Sequence, residues 1–112
     1  MLTPGDVVRL DLGKAAGSEA GLRRLAVVVT AARVLEGGPN VVHVVPLTRA
    51  IRDSGTEVVI EADEANGLGD PSSAQCQHVR SVAMTRVTAR TGNVGPAALG
   101  ELRETLALLL DV

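Results

Sequence analysis

Aromatic residues are missing altogether: the 112-residue chain contains no Phe, Trp or Tyr. Its core must therefore be filled by aliphatic side chains, chiefly Val and Leu, and no ring is available to stack on an unpaired base. Cysteine occurs once, at Cys76. That excludes an internal disulfide and a multi-cysteine metal site, and it points to a reducing, cytoplasmic compartment. No apolar run approaches the roughly 18 to 20 residues of a membrane span. The opening Met-Leu-Thr-Pro-Gly-Asp lacks the basic-then-apolar pattern of a secretion signal. A large positive charge is lacking too, and a net −2 argues against a nonspecific nucleic-acid coater. A hydrophobic content of 46% with 21% charged residues belongs to a soluble globular protein. The length predicts a single domain over residues 1–112, small enough to gain from dimerisation.

Charge is unevenly placed. Residues 1–52 carry seven Lys/Arg against four Asp/Glu, a net +3, whereas residues 53–112 carry four against nine, a net −5. An excess of that size in the first half supports a local anion site more than a long groove. Within that half, the stretch from Pro4 to Thr30 reads as a strand, a polar loop and a second strand. The loop gathers Ser18, Glu19, Arg23 and Arg24. Strands at both ends would hold those side chains over a surface at defined spacing.

Apolar positions predict a first strand over Asp6 to Leu12, where Arg9 and Asp11 alternate with Val8, Leu10 and Leu12. Leu25 to Thr30 is almost wholly apolar, as in a strand buried on both faces. A short helical turn is expected at Ala31 to Leu35, and a third strand at Val41 to Leu47. Pro46 ends ladder pairing there, which places Thr48 and Arg49 at the sheet edge beside the first loop if strands two and three pair. His43, among valines, reads as a partly buried structural histidine, since no second ligand stands at a metal-site spacing. Thr56 to Glu61 predicts a strand with Glu57 and Glu61 facing outward.

Ala62 to Gly69 is acidic and rich in turn residues but lacks the D-x-D-x-D-G spacing of a calcium loop. Ala74 to Val82 predicts a strand with Cys76, His78 and Arg80 on one face. That pairing suits a phosphate, and a solvated polar edge accounts for it as well. Ala83 to Val87 predicts a helical turn and Thr88 to Val94 a last strand. Gly95-Pro96 then opens a helix. Leu99, Leu102, Leu106 and Leu109 form one apolar stripe on it, expected to seal the sheet, and the closing Leu108-Leu109-Leu110 reads as core.

Taken in order, Pro-Gly-Asp-Val-Val-x-Leu-Asp-Leu, Gly17-Ser18-Glu19, Arg24 before a valine strand, Val-Pro-Leu-Thr48, Asn66-Gly67-Leu68, the strand through Val79-Arg80-Ser81 and the final leucine helix resemble the MazF/PemK family of toxin endoribonucleases. The resemblance spans nearly the whole chain. It implies a mainly β fold with helices (α+β), a small SH3-like/CcdB-like β-barrel closed by a C-terminal helix. It also implies a homodimer, metal-independent and cofactor-free cleavage of single-stranded RNA, and neutralisation by a cognate antitoxin. Arg24 and Thr48 match the family's catalytic arginine and threonine, and Glu19 its loop glutamate. Ser18, Arg23, Arg49, Gln77, His78 and Arg80 are the implied RNA contacts.

The chemistry agrees with those residue types. Attack by the substrate's own 2′-OH needs a proton acceptor, donors for charge developing on phosphoryl oxygens, and a proton for the leaving oxygen. A guanidinium clamps phosphate in a bidentate manner and a threonine hydroxyl adds a neutral donor. Three positions depart from the family pattern: Ala20 where Gln is usual, Leu25 where Pro is usual, and His78 before Val79-Arg80. His78 either titrates as an acid or base, near its reference pKa of about 6.5, or replaces a base-contacting amide. Two rival readings are a CcdB-like gyrase inhibitor and a catalytically degenerate relative that only binds antitoxin.

Overall fold

The computed structural model of the protein describes residues 1–14 and 21–112. Its elements are β1 (Asp6–Lys14), β2 (Gly21–Val28), α1 (Ala32–Glu36), β3 (Val41–Thr48), β4 (Glu57–Ile60), β5 (Ser72–Gln75), β6 (Arg80–Ala83), β7 (Val87–Asn93) and α2 (Gly95–Leu110). Single 3-10 turns occupy Cys76–His78 and Met84–Arg86. All strand pairs are antiparallel. The path runs β4-β5-β3-β2-β1-β7, with β6 also on β3. That path is open, so among the described residues the strands do not close the expected barrel.

The valine-rich strands are buried on both faces, which is why they read as nearly continuous apolar runs. Val7, Val27 and Val45 stand abreast in the register. They point toward Val58, Ile60, Leu68, Cys76 and Leu102 of α2. Their neighbours Val8, Ala26 and Val28 point the other way, onto Leu35 of α1, Val42, Val44 and Val82. Each fully buried side chain of this size contributes about 1.5–3 kcal/mol, so two aliphatic layers replace the aromatic mass the chain lacks.

The N-terminal turn, β7 and the start of α2 are tied through one carboxylate. Asp6 is fully buried. It accepts from the Thr3 N–H at 2.7 Å, the Thr3 hydroxyl at 3.0 Å and Asn93 Nδ2 at 3.0 Å. Arg90 Nε lies 2.9 Å from it. Burial alone would raise its carboxyl, but Thr3, Asn93 and Arg90 outweigh burial and hold it below the ordinary range. Asn93 Oδ1 also caps the Gly95 N–H at 2.7 Å, and Gly95 itself sits at φ +86, a conformation suited to glycine. The turn-rich Ala62 to Gly69 segment packs on β7 through buried Asn66. A Cβ on Gly92 would collide with the Asn66 backbone there.

Four expectations are corrected. The predicted strand Ala74 to Val82 is two strands, because the Cys76–His78 turn interrupts it. Three steps along β3, from Val44 to Leu47, face six along its partner, from Arg80 back to Ala74. His43 is exposed rather than partly buried, since α2 packs on β4 and the Cys76–His78 turn and not on that end of β3. Glu57 does not face outward: its side chain is 1% exposed. The helix tip is not core: Leu108 is 76% and Leu110 60% exposed, and Leu102 is the buried member of the stripe. The physical reason is length. Sixteen helical residues span about 24 Å, while the four of β4 beneath span about 13 Å.

Candidate functional site

Arg23 and Arg24 sit side by side on β2 and, by strand alternation, point to opposite faces of the sheet. Arg23 pairs with Asp11 and Arg24 with Leu10 across β1. On the other side, the β2–β3 ladder ends at Ala26↔Pro46, where proline offers no N–H. Beyond the end of that ladder, Arg24 of β2 and Thr48 of β3 line one cleft. The strands separate where the ladder ends, and two clefts open.

The first cleft, about 360 Å³, is lined by Leu10, Leu12, Arg24, Val44, Pro46, Gln75, His78 and Arg80. The second, about 310 Å³, is lined by Arg23, Arg24, Leu25, Leu47, Thr48, Arg49 and Ser72. Arg24 lines both. The arrangement can hold an anion between a guanidinium and a hydroxyl on one side, with a second guanidinium and an imidazole on the other.

Thr48 is half-buried and ends β3. Its Oγ1 accepts the Ala50 N–H at 3.1 Å, which leaves its own hydroxyl hydrogen to donate outward. It does not lie at a sheet edge, because β5 continues the ladder there through Thr48↔Ser73. Arg49 is ion-paired with Asp70 at 3.6 Å, both side chains being largely exposed. Arg23 also lines a third cleft with Arg9, Asp11, Thr88 and Ala89. His78 and Arg80 line the first cleft with Arg24, but a turn and a strand start place them there, not the expected alternation along one strand. Gln77 lines neither of the two clefts at Arg24. It is held instead in a polar network with Glu57. Ser18 and Glu19 lie outside the described residues, as does Ala20.

Sequence reasoning passes over that network. Glu57 Oε1 accepts from the Ser73 hydroxyl at 2.8 Å. Its Oε2 accepts from Gln77 Nε2 at 2.6 Å and Arg52 Nη2 at 2.8 Å. Gln77 Oε1 in turn accepts from the Thr56 hydroxyl at 3.1 Å. The Gln77 and Ser73 donors, against the opposing effect of burial and with Arg52 beside them, hold the Glu57 carboxyl below its ordinary range. Burial and the Glu57 charge push the Cys76 thiol up to about 11. The single signal in the sequence was a pair of opposite charges five apart around Gly55, which also suits an ordinary surface turn. No three His, Cys, Asp or Glu side chains converge on a metal-sized site among the described residues. No helix among them is long and apolar enough to cross a membrane.

The open antiparallel sheet with its C-terminal helix has counterparts among known proteins. The pattern of the PemK-like, MazF-like toxins of type II toxin-antitoxin systems matches residues 3–110, and the chain belongs to that family. Among its relatives, Endoribonuclease MazF9 of Mycobacterium tuberculosis is 36% identical over 119 aligned positions, covering 100% of this chain and 98% of that one. MazE-MazF (Form-II) from Deinococcus radiodurans superposes with a TM-score of 0.82 at 26% identity, over 99% of this chain and 96% of that one. Mycobacterium tuberculosis toxin MazF-mt6 has the same fold, with a TM-score of 0.76 at 21% identity over 96% and 97% of the two chains.

Proposed function

We propose that residues 1–112 act as one cytoplasmic toxin domain, an endoribonuclease that cuts single-stranded RNA at a preferred sequence and is silenced by a cognate antitoxin. The observation that carries this reading is the position of Arg24, shared by two adjoining clefts, one with Thr48 and the other with His78 and Arg80. Arg24 and Thr48 match the catalytic arginine and threonine that the family resemblance implies, which makes this the place we assign to the scissile phosphate.

The 2′-OH of the substrate attacks the adjacent phosphorus and the bond to the 5′ oxygen breaks, leaving a cyclic phosphate and, as that oxygen takes a proton from water, a free 5′-OH. Arg24 stabilises the charge gathering on the phosphoryl oxygens, and Thr48 adds its hydroxyl hydrogen. Glu19 is assigned the 2′-OH proton on the family resemblance, with Ser18 supporting the loop or the phosphate. Arg23, Arg49, Gln77, His78 and Arg80 contact the flanking nucleotides. None of these roles calls for a metal ion or other cofactor. Two copies, paired symmetrically, would join their cationic faces into one RNA path.

Incubating the protein with a long single-stranded RNA in EDTA and mapping the ends tests the reading. Arg24→Ala is expected to lower the cleavage rate at least a hundredfold, about 2.7 kcal/mol or more of transition-state stabilisation. Thr48→Ala should lose less, because it removes a neutral donor. Near wild-type cleavage by Arg24→Ala would remove the site assignment. The rival readings, a gyrase inhibitor or an inactive antitoxin binder, predict no cleavage by any variant.

A further inference from the structure

We propose that Glu57 is a positioning residue that locks the side-chain amide of Gln77 in one orientation, so that Gln77 reads a base next to the cleaved phosphate. The inference rests on the ribonuclease reading above.

The geometry is specific about polarity. An ionised carboxylate only accepts hydrogen bonds, so the amide must turn its NH₂ toward Glu57, at 2.6 Å. Its oxygen then receives the Thr56 hydroxyl at 3.1 Å. Flipping the amide by half a turn would set oxygen against carboxylate and lose the bond to Glu57. Glu57 is itself fixed by Ser73 and Arg52, and the Cys76 N–H donates to the Thr56 carbonyl at 3.1 Å. Gln77 is nevertheless exposed. An exposed glutamine clamped at both amide ends by a nearly inaccessible carboxylate and a threonine adds little to stability. What the clamp does secure is the outward edge of the amide: one N–H and one oxygen lone pair, side by side, in known order.

That edge is a base reader. Glutamine pairs in a bidentate manner with a base edge that carries a donor beside an acceptor, and unpaired RNA bases present such edges. Adenine and cytosine carry an exocyclic amino donor beside a ring-nitrogen acceptor. Guanine and uracil carry an exocyclic oxygen beside a ring N–H. The base is held in one orientation by its phosphate in the cleft and is read at its exocyclic group and the adjoining ring nitrogen. A locked amide then favours one class over the other, whereas a freely flipping amide accepts both. Gln77 adjoins His78, which lines the cleft with Arg24. Ser73, bonded to the same carboxylate, stands across the ladder from Thr48. The reader therefore stands beside the two clefts, next in sequence to a lining residue of one and across the ladder from a lining residue of the other.

The test compares wild type, Glu57→Gln, Thr56→Val and Gln77→Ala on a randomised single-stranded RNA, with cut ends sequenced. Glu57→Gln can offer either end of its own amide to Gln77 and so releases the lock without removing the contact. At one nucleotide of the cut site, discrimination between amino bases and keto bases should fall by about tenfold in Glu57→Gln and Gln77→Ala. Thr56→Val should lower it less at the same position. Other positions should hold, and the rate on the best substrate should fall much less than in Arg24→Ala. Unchanged discrimination at every position, or a uniform loss across all sequences, overturns the proposal. If wild type cuts no RNA, the ribonuclease reading fails separately. The same base-class comparison is then read from the affinities of short RNA oligonucleotides, and equal affinities for both classes in wild type overturn the base reader as well.

Discussion

Two carboxylates in this molecule are buried at the side chain, each beside an arginine, yet they serve different ends. Asp6 accepts the Thr3 N–H and joins the first turn to the distant β7 through Arg90 and Asn93, the latter also capping the entry to α2. Glu57 accepts from side chains, those of Arg52, Ser73 and Gln77. A carboxylate whose partners secure a turn, a strand and a helix start holds chain segments together. One tied to side chains holds functional groups in register. The difference locates stability around Asp6 and orientation around Glu57.

Removing Asp6 should break the comparison most visibly. Asp6→Ala leaves the Thr3 N–H, Asn93 and Arg90 without their shared acceptor. It should cost about 3 kcal/mol of stability, read from urea unfolding, while RNA-cleavage selectivity at temperatures where the variant is folded stays unchanged. Acid provides a smaller and graded version of the same experiment. Both carboxyls sit lower in the folded protein than their ordinary values of 3.8 and 4.5. Each therefore favours the folded state above those values and loses that contribution as pH falls through the folded value. Melting temperature should be flat between about pH 6 and 8 and fall below about pH 4. Asp6→Ala should flatten more of that fall than Glu57→Gln, and equal flattening would contradict the division of roles. The smallest effect concerns Cys76. A thiol pushed to about 11 by burial and the Glu57 charge is about one part in a thousand thiolate at pH 8. Alkylation in the native state should be very slow, and faster in Glu57→Gln, where the charge that raises the thiol is gone.

The strands that share the core were legible because their chemistry is local and repeated. Val7-Val8, Ala26-Val27-Val28 and Val42 to Val45 announce burial whatever their partners. Gly95-Pro96 marks the helix start. The ordered motifs led to Arg24 and Thr48, which line one cleft beyond the end of the β2–β3 ladder. What could not be read depends on length and on partners distant in sequence. The exposed end of α2 follows from a helix longer than the strand beneath it, and no apolar periodicity reports that. The break at Cys76–His78 follows from a register difference on two sides of β3, which alternation within Ala74 to Val82 cannot show. Glu57 looked like an outward residue on an alternating strand. Its burial depends on Ser73 and Gln77, sixteen and twenty positions away.

The interruption at Cys76–His78 also bears on how such a protein changes over generations. The ladder to β3 is in register before it and in register after it, so the turn is a cassette spliced into a finished sheet. Its first member, Cys76, is rooted in the core, while Gln77 and His78 project to the surface. On the proposed reading, exchange of those two residues alters what meets the substrate without disturbing a ladder bond. Substrate preference can therefore drift at two codons while the scaffold is inherited intact.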